Sequence, residues 1–176
     1  MSHRPIFRTL GLAGLVALLG LAAHPLRADG DGRFGFEAAV SAPSGNFSDS
    51  ANNGIEVGGI GRWDLGGGGR DITGRIDLNL YPQKYGISTS SLGVAVDWDF
   101  HFTGTHHGPY FLIGGSLLDY SQNVPNDNLN SSTLGLDLGL GVDIDDHLGI
   151  LARWTTHYVD HTTWTVLNLG FTYTFR

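Results

Sequence analysis

The run Leu134-Gly135-Leu136-Asp137-Leu138-Gly139-Leu140-Gly141-Val142-Asp143-Ile144 alternates without exception between large apolar residues and glycine or aspartate. Strand side chains point to opposite faces at a period of two, so this segment carries one greasy face and one small, acidic face. The same pattern recurs on both sides of it. Leu92, Val94, Val96, Trp98, Phe100 and Phe102 interleave with Gly93, Ala95, Asp97, Asp99, His101 and Thr103. Ile72, Ile76, Leu78 and Leu80 alternate with Thr73, Arg75, Asp77, Asn79 and Tyr81, and Phe34, Phe36, Ala38 and Val40 with Gly35, Glu37, Ala39 and Ser41. Leu148, Ile150, Ala152, Trp154 and Tyr158 alternate with Gly149, Arg153 and His157. Leu167, Leu169, Phe171, Tyr173 and Phe175 alternate with Asn168, Gly170, Thr172 and Thr174. Residues 55–65 repeat the pattern more weakly, with Val57 and Trp63 opposed to Glu56, Arg62 and Asp64. Residues 110–120 are apolar on both sides, so the pattern assigns them no faces. The pattern predicts eight strands, each near the 9–11 residues that a tilted membrane-crossing strand needs.

Composition narrows the class further. The 176 residues suffice for one domain, and 27 glycines with few helix formers favour strands and turns. A formal charge of −7 and a single lysine argue against nucleic acid, which needs a basic patch. The absence of cysteine excludes a disulfide scaffold, a thiol nucleophile and a cysteine zinc site. At the N-terminus, His3, Arg4 and Arg8 precede an apolar stretch over residues 10–23, with small residues at Ala22, Ala23 and Ala28. This reads as a signal peptide over residues 1–28, cleaved after Ala28 (or Ala23), and too short for a comfortable membrane helix. Removing it leaves residues 29–176 with 7 Lys+Arg against 17 acids.

The connections are expected to alternate in length. Residues 64–70, 104–108 and 145–147 read as short turns. Residues 42–54, 82–90 and 120–132, rich in Asn, Ser, Pro and Gly, read as longer loops, and 158–163 is a short exception. A soluble barrel with its greasy face inward would show the same alternation. Three features favour lipid outside: a polar face made largely of glycine, the aromatics Trp98, Phe100, Phe102, Trp154, Tyr158, Tyr173 and Phe175 near strand ends, and unbroken apolar rows. Backbone groups in lipid must pair, and strands achieve that only by closing into a barrel.

The C-terminal residues Asn168, Gly170, Tyr173 and Phe175 resemble, in type and spacing, the terminal assembly signal of bacterial outer-membrane barrels. In that family the chain usually ends on the aromatic, whereas here Arg176 follows. Over residues 29–176 the chain is similar to the small eight-stranded outer-membrane β-barrel proteins, the group of OmpX, OmpW and the OmpA transmembrane domain. The resemblance implies an all-β fold, an eight-stranded antiparallel transmembrane β-barrel with up-and-down meander topology. It also implies outer-membrane lipids and lipopolysaccharide as surroundings, and the barrel-assembly machinery as a partner. The loops 42–54, 82–90, 120–132 and 158–163 would then lie outside the cell as the contact surface, with a partner that the sequence does not name.

The inward face is predicted to hold an interior polar network of Glu37, Glu56, Arg62, Arg75, Asp77 and Asp97 with Asp99, His101, Asp137, Arg153 and His157; Asp64 and Asp143 share its phase. Residue counting places Arg75 near Asp97, and Arg153 opposite Gly139 with Asp137 diagonal to it. Charges in such a place are tolerable only when paired and hydrogen-bonded. The expectation is therefore a filled interior with a structural or surface-interaction role. A narrow small-solute or hydrophobic-molecule conduit is the alternative, and a soluble periplasmic binder is another.

A lipid A-modifying enzyme would need a nucleophile beside a base. The nearest set is Thr156, His157, Asp160 and His161, with Thr156 and His157 on opposite faces. No catalytic residue is assigned. His106 and His107 share one turn and His147 another at the same end, and the sequence assigns neither a metal site nor a cofactor. Gly66 to Gly69 precede a strand rather than a helix, so they read as a turn and not a phosphate cradle.

Overall fold

The computed structural model describes residues 32–125, 127–159 and 162–175. The proposed signal peptide over residues 1–28, residues 29–31, Asn126, Asp160, His161 and Arg176 lie outside them. Eight strands follow in chain order: β1 (Arg33–Gly45), β2 (Gly54–Asp64), β3 (Arg70–Lys84), β4 (Ile87–His101), β5 (Gly108–Val124), β6 (Asp127–Asp143), β7 (Leu148–Val159) and β8 (Thr162–Phe175). One short helix, α1 (Phe47–Ser50), interrupts the first connection. Each strand pairs with its sequence neighbour, and β1 closes on β8 in antiparallel register from Phe34↔Phe175 to Gly45↔Trp164. The result is a closed up-and-down barrel with no free sheet edge.

The two faces fall as the alternation requires. Phe34, Leu92, Trp98, Leu136, Leu140, Ile150 and Leu169 are exposed on the outside, whereas Glu37, Arg75, Asp97, Asp137 and Arg153 are buried within. An exterior made of large apolar side chains around a charged interior is the inverse of a soluble barrel, and lipid is the solvent that suits it. This is the fold of a transmembrane β-barrel. The unassigned segment 110–120 resolves as β5, which turns Tyr110, Leu112, Leu118 and Tyr120 inward, so it is apolar on both sides. At the end carrying the termini, Phe36 stacks on Tyr173 at 5.7 Å and Phe34 meets Trp63 edge-on at 5.9 Å. Trp154 pairs with Leu138 and Leu167 well inside its strand, away from this aromatic belt.

The connections depart from the expected alternation. Segments expected as loops over 82–90 and 120–132 continue instead as paired strand, so only 85–86 and 125–126 remain between Lys84 and Ile87 and between Val124 and Asp127. Their residues pair through the backbone ladder, which a hairpin allows whatever the side chains are, and Gln122 to Thr89 and Ser132 to Asp119, each at 3.2 Å, add side-chain bonds across it. Tyr85 and Gly86 both take positive φ, 51° and 84°, as a tight two-residue hairpin turn demands. Pro82, which cannot donate to the ladder, sits at a register shift between Tyr81 and Lys84. β3 and β4 reach 15 residues and β5 and β6 reach 17, against 11 in β2 and 12 in β7, so one side of the barrel projects further.

Candidate functional site

The barrel interior is a stack of layers set by strand parity. Nearest the termini, Asp71, His101 and Asp143 point inward from β3, β4 and β6. Above them Arg62 lies 2.6 Å from Asp143 and 3.6 Å from Asp99, and Thr73 donates to Asp99 at 2.6 Å. The Arg62 guanidinium also lies 5.6 Å from the Tyr110 ring centroid. A thin apolar layer of Tyr110, Leu112 and Leu151 follows.

The central layer holds two arginines from distant strands. Arg75 donates to Asp77 at 2.5 Å, to Asp137 at 3.0 Å, and to Asp97. Arg153 donates to Glu37 at 2.7 Å and to Glu56, whose second oxygen accepts from Asn168 at 3.1 Å. Arg75 and Arg153 are 4% and 1% exposed, so each guanidinium exchanges water for several carboxylate oxygens. The sum is a cross-brace joining β1, β2, β3, β4, β6, β7 and β8 through side chains, in addition to the backbone ladder.

Residue counting located some of these partners and missed others. Arg75 does meet Asp97, one rung diagonally from its pairing partner Ala95. Asp137 instead serves Arg75 and not Arg153, because Arg153 reaches across the lumen to β1 and β2. Gly139 does face Arg153 in the ladder, but Leu112 occupies the space at its Cα. Glycine makes room elsewhere: a Cβ on Gly114 would sit 2.0 Å from Asp97 Oδ1, and one on Gly135 would sit 2.1 Å from the His157 ring. His157 is buried against Tyr120, ring to ring at 5.9 Å, while Thr156 points to the other face. The two therefore do not converge.

The far end is stoppered. In the connection between β1 and β2, α1 turns Phe47 into the mouth, where it is fully buried. It stacks on Trp164 at 4.4 Å and meets Tyr81 and Tyr120 edge-on at 5.0 and 6.0 Å. The segment read as an outer contact loop is thus partly a plug. A lone aromatic among Asn, Ser, Asp and Gly was the available signal. Among the described residues the interior holds two small cavities of about 10 Å³ each, one beside Glu56, Tyr120 and His157 and one beside Arg62, Asp99 and Arg153. Each has room for about one water.

At the termini end, Asp145 caps its turn by accepting from the backbone N–H groups of His147 and Leu148 at 2.7 and 2.8 Å. The Leu148 and His147 N–H groups hold its carboxyl below the usual carboxylate range. His107 lies 3.0 Å from Asp146, joining two neighbouring turns.

Among solved structures, the barrel is similar to Ail, the attachment invasion locus protein of Yersinia pestis, at 15% identity and a TM-score of 0.58, covering 83% of this chain and 99% of that one. It is similar to the N-terminal β-barrel domain of Pseudomonas aeruginosa OprF at 14% identity and a TM-score of 0.57, with the same coverages. Neisserial surface protein A matches at 18% identity and a TM-score of 0.51, covering 82% of this chain and 97% of that one. No protein-family model and no curated protein matches the chain. The chain therefore has the fold of the eight-stranded outer-membrane barrels.

Proposed function

We propose that the chain is an integral protein of the bacterial outer membrane that passes no solute and acts through the end opposite its termini. The observation that carries this reading is the occupied lumen, where Arg75 and Arg153 bind five carboxylates and Phe47 closes the mouth above them. An eight-stranded barrel is about wide enough for its own side chains, and here they fill it. A conduit would have to break several buried charge-assisted contacts, which is costly.

In this reading the barrel is a scaffold and not an enzyme. Its outward rows meet lipid and lipopolysaccharide, and the C-terminal strand carries the signal for the assembly machinery. Asn168 and Gly170 face inward there, while Tyr173 and Phe175 face outward. The projecting β3–β4 and β5–β6 hairpins form the contact surface, with Tyr85 at one tip 85% exposed. Planar-bilayer recording tests the central claim. The purified chain is expected to add no unitary conductance to the bare bilayer; regular steps from the native sequence would overturn the sealed-scaffold reading.

A further inference from the structure

The end of the barrel that carries the termini holds a donor set that touches the polar network only at His101, whose Nε2 lies 3.0 Å from Asp143 Oδ2. Asp71 opens β3, His101 closes β4, and His106 lies in the turn that follows. One ligating atom from each lies within 4.8 Å of those from the other two. Asp71 is fully buried, and among the described residues neither of its oxygens has a hydrogen-bond partner. His106 Nδ1 stands 3.0 Å from Asp71 Oδ1, yet it too is buried without a hydrogen bond. Its other nitrogen, Nε2, stands 3.0 Å from Asp64 Oδ2.

Asp64 is itself pinned, since its Oδ1 accepts from the N–H groups of Gly66 and Gly67 at 2.8 and 3.2 Å. With the ring proton on Nε2 and donated to Asp64, Nδ1 presents a lone pair to a carboxylate oxygen. Two acceptors at that separation repel unless a metal ion or a second ring proton lies between them. A carboxylate–histidine pair that orients the other ring nitrogen is the usual outer shell of a metal-bound imidazole. His101 Nδ1 lies 3.2 Å from the Gly69 carbonyl, which only accepts, so this nitrogen carries the proton and Nε2, 3.0 Å from Asp143 Oδ2, is the one that would turn to an ion. Gly69 has a φ of +66°, and a Cβ there would fall 2.8 Å from Thr105 O and 2.9 Å from His101 Cβ, so glycine lets the two turns close on each other.

We infer that Asp71, His101 and His106 form a binding site for a divalent transition-metal ion of the zinc type. Two imidazoles and a carboxylate are borderline donors that suit zinc and leave a fourth position for water. Metal–ligand bonds of about 2.0–2.2 Å place tetrahedral ligand atoms roughly 3.4 Å apart, a spacing within the range seen here. Arg33, 3.6 Å from the second Asp71 oxygen, balances the remaining charge. The ion would staple the β2–β3 and β4–β5 turns together.

The test uses the untagged chain, extracted from membranes and purified in detergent, with heat-dependent gel mobility to confirm that each variant is folded. One zinc per chain should survive gel filtration, and cobalt(II) should give tetrahedral visible bands that saturate at one equivalent. His106→Ala should abolish both, and His107→Ala in the same turn should leave them unchanged. Asp64→Asn should weaken binding about 10- to 100-fold by releasing the His106 ring. The rival is a protonated His106 bridging two carboxylates, which nitrogen NMR of the unmutated chain with excess zinc separates. A metallated Nδ1 supports the site. A protonated Nδ1, no stoichiometric zinc, or zinc retained by His106→Ala would overturn it.

Discussion

Arg153 is 1% exposed, and its guanidinium crosses the lumen from β7 to Glu37 on β1 and Glu56 on β2. Its alkyl stem and fork fit only while both carboxylates are present to replace water. Arg153→Ala leaves two buried carboxylates without their cation, and is expected to cost about 3–5 kcal/mol in urea unfolding from lipid vesicles. Replacing Arg153, Glu37 and Glu56 together by apolar residues of similar volume should recover most of that loss. Parity along each strand was legible at this scale and assigned Arg75 and Arg153 to the interior. The partner choice was not, because it depends on how far a flexible side chain reaches across a closed cylinder. Asp137 shows this: it lies diagonal to Arg153 in the ladder and yet bonds Arg75 from the opposite side.

The connection between β1 and β2 is the element whose behaviour differs most from its composition. Asn46, Ser48, Asp49, Asn52 and Asn53 surround Phe47, and a polar stretch of this kind reads as a solvated loop. One buried ring against Trp164, Tyr81 and Tyr120 is enough to fold it inward, and Asn52 secures it by donating to the Gln83 carbonyl at 3.0 Å. Phe47→Ala is expected to remove about 3–5 kcal/mol from the packing of this plug. Limited proteolysis should then cut within 46–53 while the heat-dependent mobility of the barrel stays the same. The hairpins argue the reverse way. Pro82 and the Ser- and Asn-rich stretches suggested breaks, but a paired backbone continues through them, disturbed among the described residues by the register shift at Pro82.

For the whole molecule, the decisive quantity is the contrast between its outer and inner surfaces. Leu140, in the middle of its row, is 60% exposed to the outside, and Asp137 three residues away is fully buried. Leu140→Arg should destabilise the barrel in vesicles by about 2–4 kcal/mol, the cost of a cation in the bilayer interior. In a water-soluble barrel the same substitution at an exposed site would be nearly neutral, so the measurement separates the two environments. The sequence by itself determined the strand number and the two faces of every strand but β5, because side-chain direction in a strand is a local property of the backbone, while the antiparallel meander was implied by the resemblance to the eight-stranded barrels. Only the tertiary structure decided which arginine meets which carboxylate, that Phe47 stoppers the mouth, and that Asp71, His101 and His106 converge. Those contacts depend on closure of β1 on β8 and on the stagger of the strands around the ring, and spacing along a linear chain encodes neither.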